Sequence, residues 1–433
     1  MKTNTAQTAP ASPEFFSAWI GLDWGDEKHL LNLATQRMSP AAEKAKLDNT
    51  PEAMHAWLKA VEQRFGGRPV ALAVETSRGP LIHIFSQYPW LHVFPINPAT
   101  SARFRKAFSP SGAKDDAPDA QVLRELICLH ESRLKALSPQ DPETQVLDGL
   151  TRERRGYVDD RTKYTNQLTA LLKSYFPQAL ELAGEDLTTP MALDLLDRWP
   201  DLVAIKAARP STVRSFFYEH NVRRPETVEE RVKLVQEAVA LTTDPGVLKV
   251  CRSALEGLVN MIRSVNAQIK RVEGQIKEAF KDHPDKLIFE SLPGAGPALA
   301  PRLAALFGAD RSRFESAEAM QQYMGIAPVR EKSGRNCWTH WRWHAPIFWR
   351  QTLVEWAGQS VRFCRWAAAY YNGRKKRGES HHVIIRALAF KWLRILWKCW
   401  QTGRPYDDEK YEQALERRQS PYARKNQKND EKD

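Results

Sequence analysis

Apolar residues in the first 137 positions fall in short runs bounded by turn formers. Ala18-Trp-Ile-Gly-Leu-Asp23 reads as a buried strand ending on an acid, and Leu30-Leu-Asn-Leu-Ala34 as its hairpin partner. Across Pro51–Phe65, the residues Met54, Trp57, Leu58 and Val61 share one side, the spacing of an amphipathic helix. Val70–Val74 and Leu91–Pro95 follow as strands, and Asp116–His130 as a helix. Strands that open as a hairpin and then alternate with helices place residues 17–137 in the α/β class. Residues 1–16 are small and polar, the composition of a disordered end.

The pattern changes after Ser138-Pro-Gln-Asp-Pro142, a run of turn formers that marks a domain boundary. Residues 145–283 read as all-helical. One stripe, with Leu147, Leu150, Tyr157, Tyr164, Leu168, Leu171 and Tyr175, keeps near-heptad spacing, though Arg154 and Arg161 interrupt it. A cleaner stripe, Leu255, Leu258, Ile262, Val265, Ile269, Val272, Ile276 and Ala279, alternates steps of three and four, the seam of a coiled coil or long helical hairpin. Between Pro177 and Pro245, residues 178–244 form a helical insertion without chemical signature. A mainly helical unit, 287–403, holds nine of the fourteen tryptophans. Trp392 and Trp397, at helical spacing among leucines, read as core. Trp338, Trp341 and Trp343 alternate with His340, Arg342 and His344, which suits either a core or stacking on nucleic-acid bases. Residues 407–433 read as a charged flexible tail.

Composition narrows the partner. A chain of 433 residues with 42% hydrophobic content supports several cores. It has no apolar run of about eighteen residues and no basic-then-apolar leader, so a cytoplasmic location and no membrane partner are expected. Five singly spaced cysteines give no zinc or disulfide framework. The net charge of +12 favours a polyanion such as nucleic acid.

Four acids then carry the chemistry: Asp23 and Glu75 at the ends of two strands, and Asp116 and Asp119 one helical turn apart. Carboxylates brought together this way repel unless a cation holds them, and hard oxygen ligands suit two magnesium or manganese ions that clamp a transferring phosphoryl group. Asp115 and Asp26 are substitutes at two of the positions. Taken singly, each acid is equally a cap or turn residue.

Ile20-Gly-Leu-Asp23, Ala73-Val-Glu75 and Lys114-Asp-Asp-Ala-Pro-Asp-Ala120 resemble, in order and spacing, the three acidic blocks of the DEDD-type insertion-sequence transposases of the IS-one-ten group. That resemblance implies a RuvC-like domain of the ribonuclease H fold at the N-terminus, and the usual form Lys-x-Asp-x-x-Asp-Ala selects Asp116 and Asp119. Leu292-Pro-Gly-Ala-Gly-Pro-Ala-Leu-Ala300 looks like the hairpin of a helix-hairpin-helix, where Gly294 and Gly296 let a phosphate approach. Tyr323–Gly334 resembles the family's second block, whose serine, here Ser333, is the expected nucleophile, with Lys332 and Arg335 beside it to neutralise phosphoryl oxygens. Downstream, Trp341 and Arg342, a compact basic loop with Arg374, Lys375, Lys376 and Arg377, and positive charge continuing through Arg386, Lys391, Arg394 and Lys398 are expected to contact nucleic acid. After Ser333 the sequence departs from the family's commoner continuation, which marks a subgroup.

The expectation is a bacterial, nucleoid-acting DNA transposase or recombinase using Asp23, Glu75, Asp116, Asp119, two metal ions and a covalent phosphoserine at Ser333. The resemblance further implies an element-encoded structured guide RNA, and the long helical separation suggests a homodimer or homotetramer through the coiled coil with acids and serine from different protomers. Two other readings stand beside it: a RuvC-like junction or flap nuclease using water as nucleophile, and a catalytically silent nucleic-acid scaffold.

Overall fold

The computed structural model describes residues 15–37, 41–77, 79–108, 119–137, 141–340, 342 and 345–423. Asp115, Asp116, Trp341 and Trp343 lie outside them. The chain divides into two compact units, Met1–Pro139 and Gln140–Asp433.

The first unit is a five-stranded sheet of β1 (Trp19–Asp23), β2 (Lys28–Ala34), β3 (Glu43–Asp48), β4 (Val70–Val74) and β5 (Leu91–Pro95) in the order β3-β2-β1-β4-β5. The first three strands pair antiparallel, whereas β4 joins β1, and β5 joins β4, in parallel. This is the ribonuclease H/RuvC-like topology that the sequence resemblance implied. Strand β3, Glu-Lys-Ala-Lys-Leu-Asp, is not legible as a strand in the sequence, because it is an edge whose charged side chains face water and discourage pairing with another sheet.

Helices cover both faces. Ile20, Leu22, Val70, Leu72 and Val74 point toward α1 (Pro51–Phe65) and α2 (Pro80–Phe85). Trp19, Ala71 and Ala73 point the other way, with α3 (Pro98–Phe108) leading to α4 (Asp119–His130), whose Val122, Leu123, Leu126 and Ile127 pack on them. Helix α1 starts where Thr50 caps Ala53 N–H with Pro51 in the first turn, and it stops at left-handed Gly66.

The second unit opens on α5 (Pro142–Tyr175), capped by Asp141, and its longest partner is α11 (Pro245–Lys281), capped by Asp244. Arg154 pairs with Glu273 and, seven residues on, Arg161 pairs with Asn266, so rising numbers meet falling ones and the two helices are antiparallel. The α11 seam of Leu255, Val259, Ile262, Ile269, Val272 and Ile276 is buried within its own chain. Of the two arrangements the stripe allowed, the long helical hairpin is the one that forms. The insertion holds α6 to α10 (Ala179–Ala183, Pro190–Arg198, Leu202–Lys206, Pro210–Glu219 and Pro225–Glu237), which share a core with Leu168, Leu172 and Tyr175. Pro190, Pro210 and Pro225 stand in the first turns of α7, α9 and α10.

The remainder comprises α12 (Lys286–Glu290), α13 (Gly296–Phe307), α14 (Ala317–Tyr323), the hairpin β6 (Val329–Ser333) and β7 (Asn336–His340), then α15 (Ile347–Phe363), α16 (Arg365–Lys376), α17 (His381–Thr402) and α18 (Asp408–Arg417). Its core is tryptophan-rich. Trp392 lies 4.9 Å from Trp356 and 4.6 Å from Trp366, ring centre to ring centre. Four of its indoles find acceptors: Trp356 on Pro293 O, Trp392 on Ser360 Oγ, Trp366 on Tyr406 OH and Trp400 on Gly308 O. Within the expected loose tail, the described residues include α18, and Leu415, Tyr411 and Ala423 pack on this core.

Ile262 is fully buried, whereas the preceding residue, Met261, is 46% exposed. Ile262→Ala is expected to cost about 3 kcal/mol in urea unfolding followed by helical circular dichroism, and Met261→Ala less than about 0.5 kcal/mol.

Candidate active site

On the α4 side of the sheet the residues are small. Gly21, Ala71 and Ala73 stand where larger side chains would hold a helix away. A Cβ on Gly21 would lie 1.8 Å from the Ala120 carbonyl oxygen and 2.6 Å from Arg124 N, so the α4 backbone rests on β1 itself. Asp23 is two residues beyond Gly21 on the same face, Glu75 follows the row of Ala71 and Ala73, and Asp119 precedes Ala120. Leu22 pairs with Val74 in the parallel β1–β4 ladder, which sets Asp23 and Glu75 side by side. Three of the four expected acids therefore converge from β1, β4 and α4. Asp26 is exposed in the β1–β2 connection, where its carbonyl accepts from Asn49.

The charges feel one another. Burial first, then the neighbouring Asp119 and Glu75 carboxylates, push the Asp23 carboxyl above the usual aspartate range, and Arg105 pulls it back. The other two acids have protein partners. Ser101, buried on α3, donates to Glu75 Oε1. One turn further along α3, Arg105 meets Asp119 Oδ1 at 2.6 Å. Among the described residues no three His, Cys, Asp or Glu side chains stand at a spacing that holds a metal ion. The donor set is nevertheless of the right kind for a divalent cation, hard carboxylates of which two raise the cost of ionising Asp23.

Ser101 and Arg105 were not found from sequence. The signal was Asn97-Pro98, a cap followed by a proline at the first helical position, with Ser101 and Arg105 then four apart on one face.

Ser333 ends β6 at the tip of the β6–β7 hairpin, where Gly334 takes φ 59°. It is exposed, as are Lys332 and Arg335. Ser333 pairs with Asn336 and Glu331 with Trp338, so these four share one hairpin face. Glu331 accepts from Trp338 Nε1 at 3.0 Å and lies 2.7 Å from His340 Nε2. Trp338 remains 47% exposed, which places it outside the aromatic core.

Several expected nucleic-acid contacts are engaged inside the protein. A Cβ on Gly294 would come within 3.0 Å of the Gln359 backbone on α15, so this glycine permits helix packing; Gly296 is exposed with open space around it. The 373–376 stretch is the last turn of α16 and not a loop. There Arg374 is held by both Glu379 oxygens and by Tyr370 OH, while Lys375, Lys376 and Arg377 face solvent at a helix C-terminus. Lys391 is enclosed by Trp366, Tyr370 and Tyr422, and burial lowers its pKa. Arg394 pairs with Glu318. Arg342 is half-buried, and its carbonyl accepts from Arg350.

Two outcomes test the acid site. Gly21→Ala should lower stability by about 3 kcal/mol in denaturant unfolding, since α4 must lift from β1. Asp23 carries a raised pKa in the fold, so its proton is bound more tightly than in the unfolded chain, and ionised Asp23 destabilises the fold once pH exceeds that raised pKa. In chelator, Asp23→Asn should therefore melt higher than the parent at pH 8, the gain shrinking as pH falls through the raised pKa.

Comparison with known proteins agrees with the geometry. Residues 20–177 match a DEDD-type transposase family model, and residues 286–372 match the model described as transposase IS116/IS110/IS902 family. The candidate mini-circle transposase for IS117 from Streptomyces coelicolor is 26% identical over 91% of this chain and 96% of its own length. The 43.6 kDa protein of insertion element IS110 from the same organism is 23% identical over 91% and 96%. The 42 kDa protein of IS900 from Mycobacterium paratuberculosis is 24% identical over 88% and 94%. With both models matched in order, and relatives of the same group aligned over about nine-tenths of its length, this chain belongs to the IS110/IS116/IS902 family of DEDD-type transposases.

Proposed function

We propose that this transposase cuts and rejoins DNA strands with its N-terminal acids and Ser333, the acids holding divalent metal and the serine forming a transient bond to the DNA. The observation that supports it most is the convergence of Asp23, Glu75 and Asp119 from three separate elements. Bound Mg2+ or Mn2+ would supply positive charge to the phosphoryl oxygens and ease loss of the serine proton. Asp116, the family's fourth acid, completes the set by resemblance.

In the proposed step, Ser333 Oγ bonds to phosphorus while a deoxyribose oxygen departs with a proton. The serine proton passes to solvent or to a carboxylate. Reversal onto a second strand restores the phosphodiester without ATP. Exposure at a hairpin tip suits a nucleophile that must reach DNA, and the flanking Lys332 and Arg335 can meet the phosphate. Exposed Gly296, Lys375, Lys376 and Arg377, together with Trp341 and Arg342, remain contacts for the nucleic-acid backbone. Among the described residues no helix is long and apolar enough to cross a membrane. An element-encoded guide RNA follows from family resemblance, and the +12 charge would accommodate it. The long helical separation of the acids from Ser333 suggests assembly as a dimer or tetramer that shares acids and serine between protomers, although the α11 seam is already occupied by α5.

The test is a denaturing gel of labelled element-end DNA incubated with the chain and Mg2+. A covalent protein–DNA band is expected from the parent and from neither Ser333→Ala nor Asp23→Asn. Normal strand joining by Ser333→Ala would overturn the serine step and favour a water-using nuclease.

A further inference from the structure

Helix α3 presents two polar side chains to the acids, and they do different work. Ser101 is 2% exposed and also lies 3.0 Å from the Pro98 carbonyl, so it is fixed to its own helix and fixes Glu75 in turn. Arg105 is attached more loosely. Its Nη2 meets Asp119 Oδ1, both side chains are 36% exposed, and its Nε is buried with no hydrogen-bond partner among the described residues. A guanidinium with one anchored nitrogen and a planar fork is a ready ligand for a phosphate.

The position matters as much as the pairing. Arg105 is the cation that acts on Asp23, against Asp119 and Glu75, which raise the cost of its ionisation. It supplies positive charge to the same acids that a divalent ion would neutralise, and it binds an oxygen of one of them. Metal and guanidinium therefore compete for Asp119 and repel each other across the cluster.

We propose that Arg105 is a placeholder for the metal, neutralising Asp119 until DNA arrives and then turning to a phosphate oxygen, so that metal loading is coupled to nucleic-acid binding. This rests on the metal-site reading above. The coupling is reciprocal: a phosphate that takes Arg105 frees Asp119 for metal, and metal on Asp119 frees Arg105 for the phosphate. The acids would then be fully charged with metal only where a strand is present to be cut.

The sign of one substitution decides it. Free Mn2+ is measured by electron paramagnetic resonance in titrations of the full chain, with and without a short DNA duplex. Without DNA, Arg105→Gln is expected to bind Mn2+ about 5-fold more tightly than the parent, the scale of a partly exposed ion pair removed. Arg105→Lys, which keeps the charge, should stay near the parent. DNA should tighten Mn2+ binding in the parent by a similar factor and leave Arg105→Gln little changed. Equal or weaker Mn2+ binding by Arg105→Gln, with melting unchanged, overturns the placeholder and makes Arg105 a support for the acids. A parent chain that binds no Mn2+ in either condition, or binds it undiminished as Asp23→Asn, overturns the metal site itself.

Discussion

The contact between α4 and Gly21 sets the distance on which the acid site depends. With a Cβ at that position 1.8 Å from the Ala120 carbonyl, no other residue allows the helix backbone to lie on β1. Asp119 enters the cluster because Ala120, its neighbour, touches the strand. Small residues along β4 on the same face, Ala71 and Ala73, extend the close approach until the row ends at Glu75. The apolar packing of Trp19, Leu123 and Ile127 then carries the cost of burying Asp23 and setting it beside Asp119 and Glu75, a cost visible in its raised pKa. Stability is surrendered locally where these carboxylates are held side by side.

Much of this was legible in the sequence. The strands β1, β2, β4 and β5 announce themselves because buried parallel or central strands read as apolar runs. The α11 seam is equally clear, and Asp-Pro pairs mark the starts of α5 and α11. What escaped has physical reasons. Strand β3 is an edge with a polar exterior. Helix α3, Pro-Ala-Thr-Ser-Ala-Arg-Phe-Arg-Lys-Ala-Phe, gives only a faint apolar stripe, so Ser101 and Arg105 were invisible as site residues. The charged 407–423 stretch hides its anchors, Tyr411 and Leu415, among polar neighbours.

Positive charge was the least reliable guide. Lys391 and Arg374 look like nucleic-acid contacts in sequence, yet one is caged by aromatic rings and the other is held by Glu379 and Tyr370. Charge reports a partner for the whole chain, while the role of each cation depends on what folds around it. Arg105 is the inverse case, one arginine among many whose place beside the acids gives it meaning.

The proposed chemistry requires Asp23, Glu75 and Asp119 to form one cation site. Anomalous diffraction from crystals of the chain with Mn2+ and a DNA duplex tests that directly. A manganese peak within coordination distance of Asp23 and Asp119 is the predicted result, about 2.2 Å to carboxylate oxygen. Manganese bound elsewhere, with Asp119 still paired to Arg105, would contradict it.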